Sequence, residues 1–357
     1  MTGFIVPCNI KYAPYVQYYI DIYKKSGAEF EIISWDKRGE SEPCDHVYHK
    51  CVRDSERFKV MLGYLGFSNF VKRIVKKKKY DNLIVFTVAP AIFLSGMLKK
   101  YTGKYILDVR DASPLVAKLP KRFASARAGA KCVVSSSPSF NEWIGGEPLI
   151  CHNVSVETMI AERDADVTVS LDKKPCGIVF AGFMNEGEIN LSLEKQLAGD
   201  GDFELHFFGP SSDKRKEMED YKAECGAENV HFYGTYNKGE IVDIYRKHGD
   251  LANIIRRKCR VNRDALPNKL YDAVSSGKPI IVFSHNEAIC HYAKKFDLGI
   301  ILEDGDEADF KTALKNGIEK LDIDAYKKGR IKFIDEVVSD QERFRAAVLD
   351  FMGGEQK

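Results

Sequence analysis

Ala265-Leu266-Pro267-Asn268-Lys269-Leu270-Tyr271-Asp272-Ala273-Val274-Ser275-Ser276-Gly277-Lys278-Pro279-Ile280-Ile281-Val282 holds a helix, its stop and the strand that follows. Pro267 suits a first helical turn, where its missing N–H costs nothing. Gly277 suits the helix end, and Pro279 halts the helix before a β-branched run. The expectation is a helix over 267–276 and a strand over 279–283. A helix start offers N–H groups and the positive end of a dipole, and Lys269 adds a full charge beside them, so this start suits a phosphate. Asp272 comes about one turn later, where a carboxylate can accept hydrogen bonds from two vicinal ribose hydroxyls. Asp264 precedes it by eight positions.

The alternation of short apolar runs with amphipathic helices extends in both directions. Strand-like runs fall at 4–7, 30–35, 47–52, 83–88, 105–109 and 132–135, with helical patterns over 15–25, 55–79, 91–100 and 139–144. In the helix over 55–79 the apolar residues are Phe58, Leu62, Leu65, Phe70, Ile74 and Val75, while Gly63 and Gly66 weaken the pattern. The segment 159–174 reads as a polar linker. The rhythm then restarts, with strands over 177–181, 203–209, 230–233 and 251–255, helices over 188–198, 214–225, 238–247 and 288–296, and a closing amphipathic helix over 337–351. Strands alternating with helices of ten or more residues predict an α/β fold with mostly parallel sheets. The expected architecture is two Rossmann-like doubly wound domains, 1–155 and 156–336, with a helix and tail over 337–357 as a candidate to return to the first. Ligands of such sheets sit outside the strands' carboxyl ends, which for two domains points to the cleft between them.

Composition narrows the class. The 357 residues are 44% apolar and 30% charged, which excludes a disordered, collagenous or disulfide-stapled chain. The net charge of +2 hides a split: residues 1–155 hold 24 Lys+Arg against 14 Asp+Glu, and residues 156–357 hold 30 against 38. Nine scattered cysteines, with no C-x-x-C pair, read as reduced thiols of a cytoplasmic protein. The start, Met1-Thr2-Gly3-Phe4-Ile5-Val6-Pro7, lacks a signal peptide's basic region. The longest apolar stretch, 83–98, is interrupted by Thr87, Pro90, Ser95 and Gly96 and falls short of the ~20 residues that span a bilayer.

The 265–282 segment resembles the nucleotide-sugar motif of GT-B glycosyltransferases, in particular the retaining family-four-like enzymes of the bacterial surface-polysaccharide type. Asp264 and Asp272 stand where these enzymes carry an acidic pair, in the variant P-N-K-L-Y-[DE]…G-K-P. Other stations agree in order. Phe30-Glu31-Ile32-Ile33-Ser34-Trp35-Asp36-Lys37-Arg38 resembles the second strand of the acceptor domain, and Asp108-Val109-Arg110-Asp111 its D-x-R-D stretch. Leu149-Ile150-Cys151-His152-Asn153 resembles the junction into the second domain, and Val230-His231-Phe232-Tyr233-Gly234-Thr235-Tyr236 a strand end near the base. Two stations depart from the pattern. Val6-Pro7-Cys8-Asn9 replaces a Gly-rich loop, and Gly182 is followed by Phe183-Met184-Asn185-Glu186, with no arginine to clamp the diphosphate. Arg256, Arg257, Lys258, Arg260 and Arg263, between a strand end and the motif helix, are the replacement cations.

The resemblance implies transfer of a sugar from a nucleotide sugar, a UDP-sugar first, to a saccharide or polyprenyl-linked saccharide, with retention and no obligatory metal. The residues it implies for catalysis are Lys269, Arg257, Asp264 and, should the reaction invert and need a base, Asp111. Gly182, Gly234, Tyr236, Arg256, Lys258, Arg263, Pro267, Asn268, Leu270 and Asp272 are the nucleotide-sugar residues; Arg110, His152 and Asn153 are acceptor or interdomain residues. A GT-B epimerase of UDP-sugars and a non-catalytic nucleotide- or partner-binding module are the alternatives. Aspartates two apart (164/166, 200/202, 304/306, 322/324) read as solvated loops or caps. Cys44, His46, His49 and Cys51 lack zinc spacing, and a β-type stretch sends the two histidines to opposite faces. Lys72, Arg73, Lys76, Lys77, Lys78 and Lys79, with Lys118, Lys121, Arg122, Arg127 and Lys131, form a candidate contact for an anionic membrane, interleaved with Phe67, Phe70, Leu119 and Phe123. No nucleic-acid module accompanies the charge.

Overall fold

The computed structural model describes residues 1–353 apart from 41, 54, 166, 168, 170, 185 and 186, with 57 described by its backbone alone. Two compact units emerge, Met1–Asn153 with Asp340–Lys357 and Val154–Ser339. In the first, β1 (Thr2–Val6), β2 (Phe30–Asp36), β3 (His46–His49), β4 (Asn82–Phe86), β5 (Tyr105–Val109), β6 (Cys132–Ser135) and β7 (Leu149–Ile150) form one parallel sheet in the order β3-β2-β1-β4-β5-β6-β7. In the second, β8 (Cys176–Ala181), β9 (Phe203–Phe208), β10 (Val230–Tyr233), β11 (Leu251–Asn253), β12 (Ile280–Phe283) and β13 (Gly299–Leu302) are ordered β10-β9-β8-β11-β12-β13, again parallel. Both orders reverse beside their first strand, between β1 and β4 and between β8 and β11. That reversal defines a doubly wound sheet and marks where its ligand crevice opens.

Continuous apolar strands suit this arrangement because helices cover both faces of a parallel sheet. Side chains of β1 alternate between two cores: Ile5 joins Ile33, Trp35 and Phe67, whereas Phe4 and Val6 join Tyr19, Tyr23 and Phe344. In the second unit Val179 and Ala181 face one core, and Ile178 and Phe180 the other.

Three elements differ from the sequence reading. The supposed linker contains a helix, Val156–Arg163, started by Ser155, whose hydroxyl accepts from the Thr158 N–H at 3.3 Å, and anchored by the buried Met159. The helix Arg57–Lys78 turns its glycines inward. A Cβ on Gly63 would strike the Trp35 ring, and one on Gly66 would meet the Tyr48 hydroxyl. The buried face therefore runs Gly63, Phe67, Val71 and Val75, and Phe58, Leu62 and Leu65 are exposed. Finally, the closing helix is longer than expected, Ile323–Gly353; its residues through Ser339 belong to the second unit and those from Asp340 to the first. Among the described residues no helix is long and apolar enough to cross a membrane.

Candidate functional site

The crevice of the second unit is built from glycine turns. After β8, Gly182 takes φ 136°, and its N–H bonds the Phe208 carbonyl at 2.9 Å. Gly209, at φ 149°, donates to the Gly234 carbonyl at 3.1 Å, and any Cβ there would strike the Gly182 carbonyl. The ends of β8, β9 and β10 are thus stitched together with no side chain between them. Arg215, from the helix Asp213–Cys225, secures this edge by donating to the Gly209 carbonyl at 2.6 Å and to that of Tyr233.

Over this floor lies Lys269. Its ammonium sits 3.1 Å from the centre of the Phe180 ring, and its stem passes where a Gly182 side chain would be. The motif helix is Asn268–Ser275; Pro267 precedes it in an extended conformation and offers its N–H groups no side-chain cap. Leu270 is fully buried and fixes the helix to the core. One turn on, burial pushes the Asp272 carboxyl up to about 6, while Lys238 and Lys269 pull it down. Burial, then the charge of Asp272, pushes Tyr236 up to about 12. The same two causes raise the fully buried Tyr245, whose hydroxyl has no hydrogen-bond partner among the described residues. Gly182, Lys269, Asp272 and Tyr236 therefore belong to one electrostatic neighbourhood. Lys238 and Tyr245 were missed from the sequence. A local sign was available for Lys238, because Asn237-Lys238-Gly239-Glu240 has capping-box spacing, and Glu240 accepts from the Asn237 N–H at 2.8 Å.

The candidate cations at 256–263 divide among several partners. Lys258 reaches Asp304 at 2.5 Å, and Asp304 also holds His285 at 2.6 Å, beyond the ends of β12 and β13. Arg263 is bonded at 2.6 Å to its neighbour Asp264, which is buried. Asp264 thus meets a guanidinium rather than standing open beside Asp272. Arg256 has its carbonyl taken by His285 at 2.9 Å, and the side chains of Arg257 and Arg260 are exposed. Asn185 and Glu186, in the stretch where a clamping arginine is missing, lie outside the described residues, as does Asp166.

The first unit has its own crevice. A cavity of about 370 Å³ lies past the ends of β1, β2, β4 and β5, where Asn9, Tyr12, Lys37, Arg38, Thr87 and Asp111 line it. Asp36 shapes one wall: its Oδ1 accepts from the N–H groups of Arg38, Gly39 and Glu40 at 3.2, 2.8 and 3.0 Å, curling the chain so that Lys37 and Arg38 face the cavity. Thr87 holds φ 67°, a strained value for a β-branched residue and one that clusters at functional sites. Asp111 keeps an open face, yet the protein crowding it pushes its carboxyl up against the pull of Arg110. Arg110 itself turns inward. It is bonded to Asp108 at 2.6 Å and to the Cys151 carbonyl at 2.9 Å, and Tyr19 completes the pair by donating to Asp108 at 2.7 Å. His152 is also fully buried, 2.9 Å from Asp340 and bonded through its N–H to Gln341 at 3.1 Å, and Asn153 lies 3.5 Å from the Tyr18 hydroxyl. Arg110 and His152 are thus buried in the unit's interior and bonded to it.

His46 and His49 are each tied to a carboxylate of β2, Glu31 at 2.9 Å and Asp36 at 3.2 Å. Among the described residues no three His, Cys, Asp or Glu side chains converge as metal ligands would. Of the paired aspartates, Asp200 is held by Lys311, Asp202 by Lys174 and Lys315, and Asp304 by Lys258.

Residues 191–327 match the family model of the glycosyl transferases group 1. No curated protein matches the sequence. Among solved structures the chain is similar to sucrose-phosphate synthase from Thermosynechococcus elongatus, at 14% identity over 99% of this chain and 97% of that one, with a TM-score of 0.63. It is similar also to the lipopolysaccharide outer core galactosyltransferase WaaB (18%, 98% and 99%, 0.64) and to a UDP-forming α,α-trehalose-phosphate synthase from Burkholderia xenovorans (10%, 98% and 98%, 0.64). At these identities the likeness establishes the fold, and the family match covers the β9 and β10 ends, Lys269 and Asp272. The chain has the GT-B fold, and residues 191–327 of its second unit match the group 1 glycosyl transferases.

Proposed function

We propose that the second unit binds a nucleoside diphosphate sugar, a UDP-sugar first, and that the chain transfers its glycosyl group with retention to a saccharide or lipid-linked saccharide received by the first unit's cavity. One observation carries this reading: Lys269 is laid across Gly182 at the reversal of the sheet, with Asp272 one turn behind it. Departure of the diphosphate builds negative charge on its oxygens and positive charge on the anomeric carbon. A lysine and the N–H groups at the start of Asn268–Ser275, fixed before the reaction, favour the leaving group without reorganising. The ionised Asp272 would accept bonds from the ribose hydroxyls, and the uncrowded glycine floor lets the diphosphate approach the backbone. These groups act without a metal, so we propose that chelation leaves transfer intact. Three similar proteins give chemical context: one is named a galactosyltransferase, one a UDP-forming synthase and one makes a sugar phosphate.

Thermal stabilisation by UDP and by a panel of nucleotide sugars tests the donor. Wild-type protein should gain stability with UDP, and Lys269→Ala should lose at least about tenfold in affinity, the worth of a charge-assisted contact. Unchanged UDP binding in that variant removes the site assignment. Incubation with donor alone separates transfer from epimerisation, and proton NMR of the product anomer decides retention.

A further inference from the structure

The helix Arg57–Lys78 leaves an apolar face in solvent that the transferase reading does not use. Phe58 is 74% exposed, and Met61, Leu62 and Leu65 are each more than 40% exposed. Their spacing places all four on one side, opposite the Gly63, Phe67, Val71 and Val75 face that packs on the sheet. A run of large apolar side chains at this exposure is unusual for a chain that meets only water. The same outward side continues through Asn69 to Lys72, Arg73 and Lys76, all exposed. Residues 57–78 contain seven Lys and Arg and no Asp or Glu. The expected interleaving of cations with Phe67 and Phe123 does not occur, because both are buried. The apolar partners of the cations are Phe58, Met61, Leu62 and Leu65, one helical face away from where sequence placed them.

We propose that this face docks the first unit onto an anionic lipid bilayer, with Phe58, Met61, Leu62 and Leu65 entering the headgroup–acyl boundary and Lys72, Arg73 and Lys76 resting on the phosphates. Charge selects this occupant. A second copy of the face would bring cations and no carboxylate to meet them, whereas an anionic surface matches the cations and receives the apolar end. The helix is about 33 Å long, enough for the two halves to make separate contacts along one surface. An amphipathic helix held in the interface uses buried apolar area together with attraction to anionic lipid. At the helix start, Glu56 and Arg53 line a second cavity with Lys37, Arg38 and Val52, and the last three also line the first unit's crevice. Docking therefore sets the entrance to that crevice close to the lipid phosphates.

Flotation of the full chain with vesicles of phosphatidylcholine, with and without phosphatidylglycerol, tests this without any sugar nucleotide, so it can fail while the donor reading stands, and the reverse. Wild type should float with the anionic vesicles. Phe58→Ser with Leu62→Ser should weaken partitioning at least about tenfold, and Met61→Ser with Leu65→Ser should do the same independently. Lys72→Gln, Arg73→Gln and Lys76→Gln should each weaken binding about fivefold on anionic vesicles only. All seven side chains are exposed, and an unchanged thermal midpoint checks that each variant folds. Absence of flotation, or flotation unaffected in both apolar pairs, overturns the proposal. So does a lipid-free dimer that dissociates in the apolar variants, because the face then belongs to a second copy.

Discussion

Replacing Asp272 by Asn should make the protein more stable and less able to bind a nucleotide. Burial raises this carboxyl from its ordinary 3.8 to about 6 in the folded chain. Between those values the folded state holds a proton that the unfolded state has released. Wild-type stability therefore falls as pH rises through that window, and remains reduced above it. A gap of roughly two units, at about 1.4 kcal/mol each, corresponds to up to about 3 kcal/mol at neutral pH. Asp272→Asn removes the charge while keeping the shape. Urea denaturation at a series of pH values should show the variant ahead by up to that amount at neutral pH, with the two curves converging near pH 4. His206 and Glu194, both buried, titrate in the same range but are common to the two proteins, so their contributions cancel in the difference. UDP should stabilise the wild type by about 2.7 kcal/mol at a hundredfold excess over its Kd, and the variant much less. Equal or lower stability of the variant at neutral pH, with a difference that ignores pH, would refute the reasoning. It would mean that the carboxylate is satisfied in the empty site and does not wait for a ligand.

Gly63→Ala should lose about 1–3 kcal/mol by urea unfolding although alanine is the better helix former, because the new methyl meets the buried Trp35 ring; a gain would show that the helix can lift away. His206 stacks on His231 and meets His248 at a tilt, with ring centres 5.0 Å away in each case, and burial, reinforced by those neighbours, depresses it against the pull of Glu204. A histidine held neutral in the folded state gives up stability as pH falls below its ordinary 6.5, about 1.4 kcal/mol per unit of depression. His206→Phe should flatten that acid loss in equilibrium unfolding curves, and an unchanged acid limb would rule the stack out as its cause.

What the sequence disclosed depended on whether a signal was local. Pro267, Gly277 and Pro279 act on their own neighbours, and the helix between them lies within a residue of its expected ends. The strand–helix alternation likewise sufficed for two parallel sheets. Periodicity could not say which side of Arg57–Lys78 faces inward, because the side that packs is partly glycine and carries little hydropathy; only Trp35 and Tyr48, some fifteen or more residues away, supply the reason. Val156–Arg163 was hidden for a similar cause, a single buried Met159 being its main anchor. At the site, Gly182, Lys269, Asp272 and Tyr236 lie in one electrostatic neighbourhood, but the basic run at 256–263 looked like a cluster only on paper. Its partners Asp304 and His285 follow other strands, far along the chain, whereas Arg110 turned inward toward a near neighbour, Asp108 on β5.

The first unit is completed by the far end of the chain. Phe344, Val348 and Phe351 fill its core beside Tyr19 and Tyr23, and Asp340 and Gln341 hold His152. A ribosome making this protein emits residues 1–153 first, yet that segment lacks part of its core until 340–353 have followed. The second unit, Val154–Ser339, is continuous and is finished earlier. The continuous unit can therefore complete its core before the first one does. During the synthesis of nearly two hundred intervening residues, the apolar seat of Phe344 and Val348 waits uncovered, the interval in which a chaperone has the most to hold.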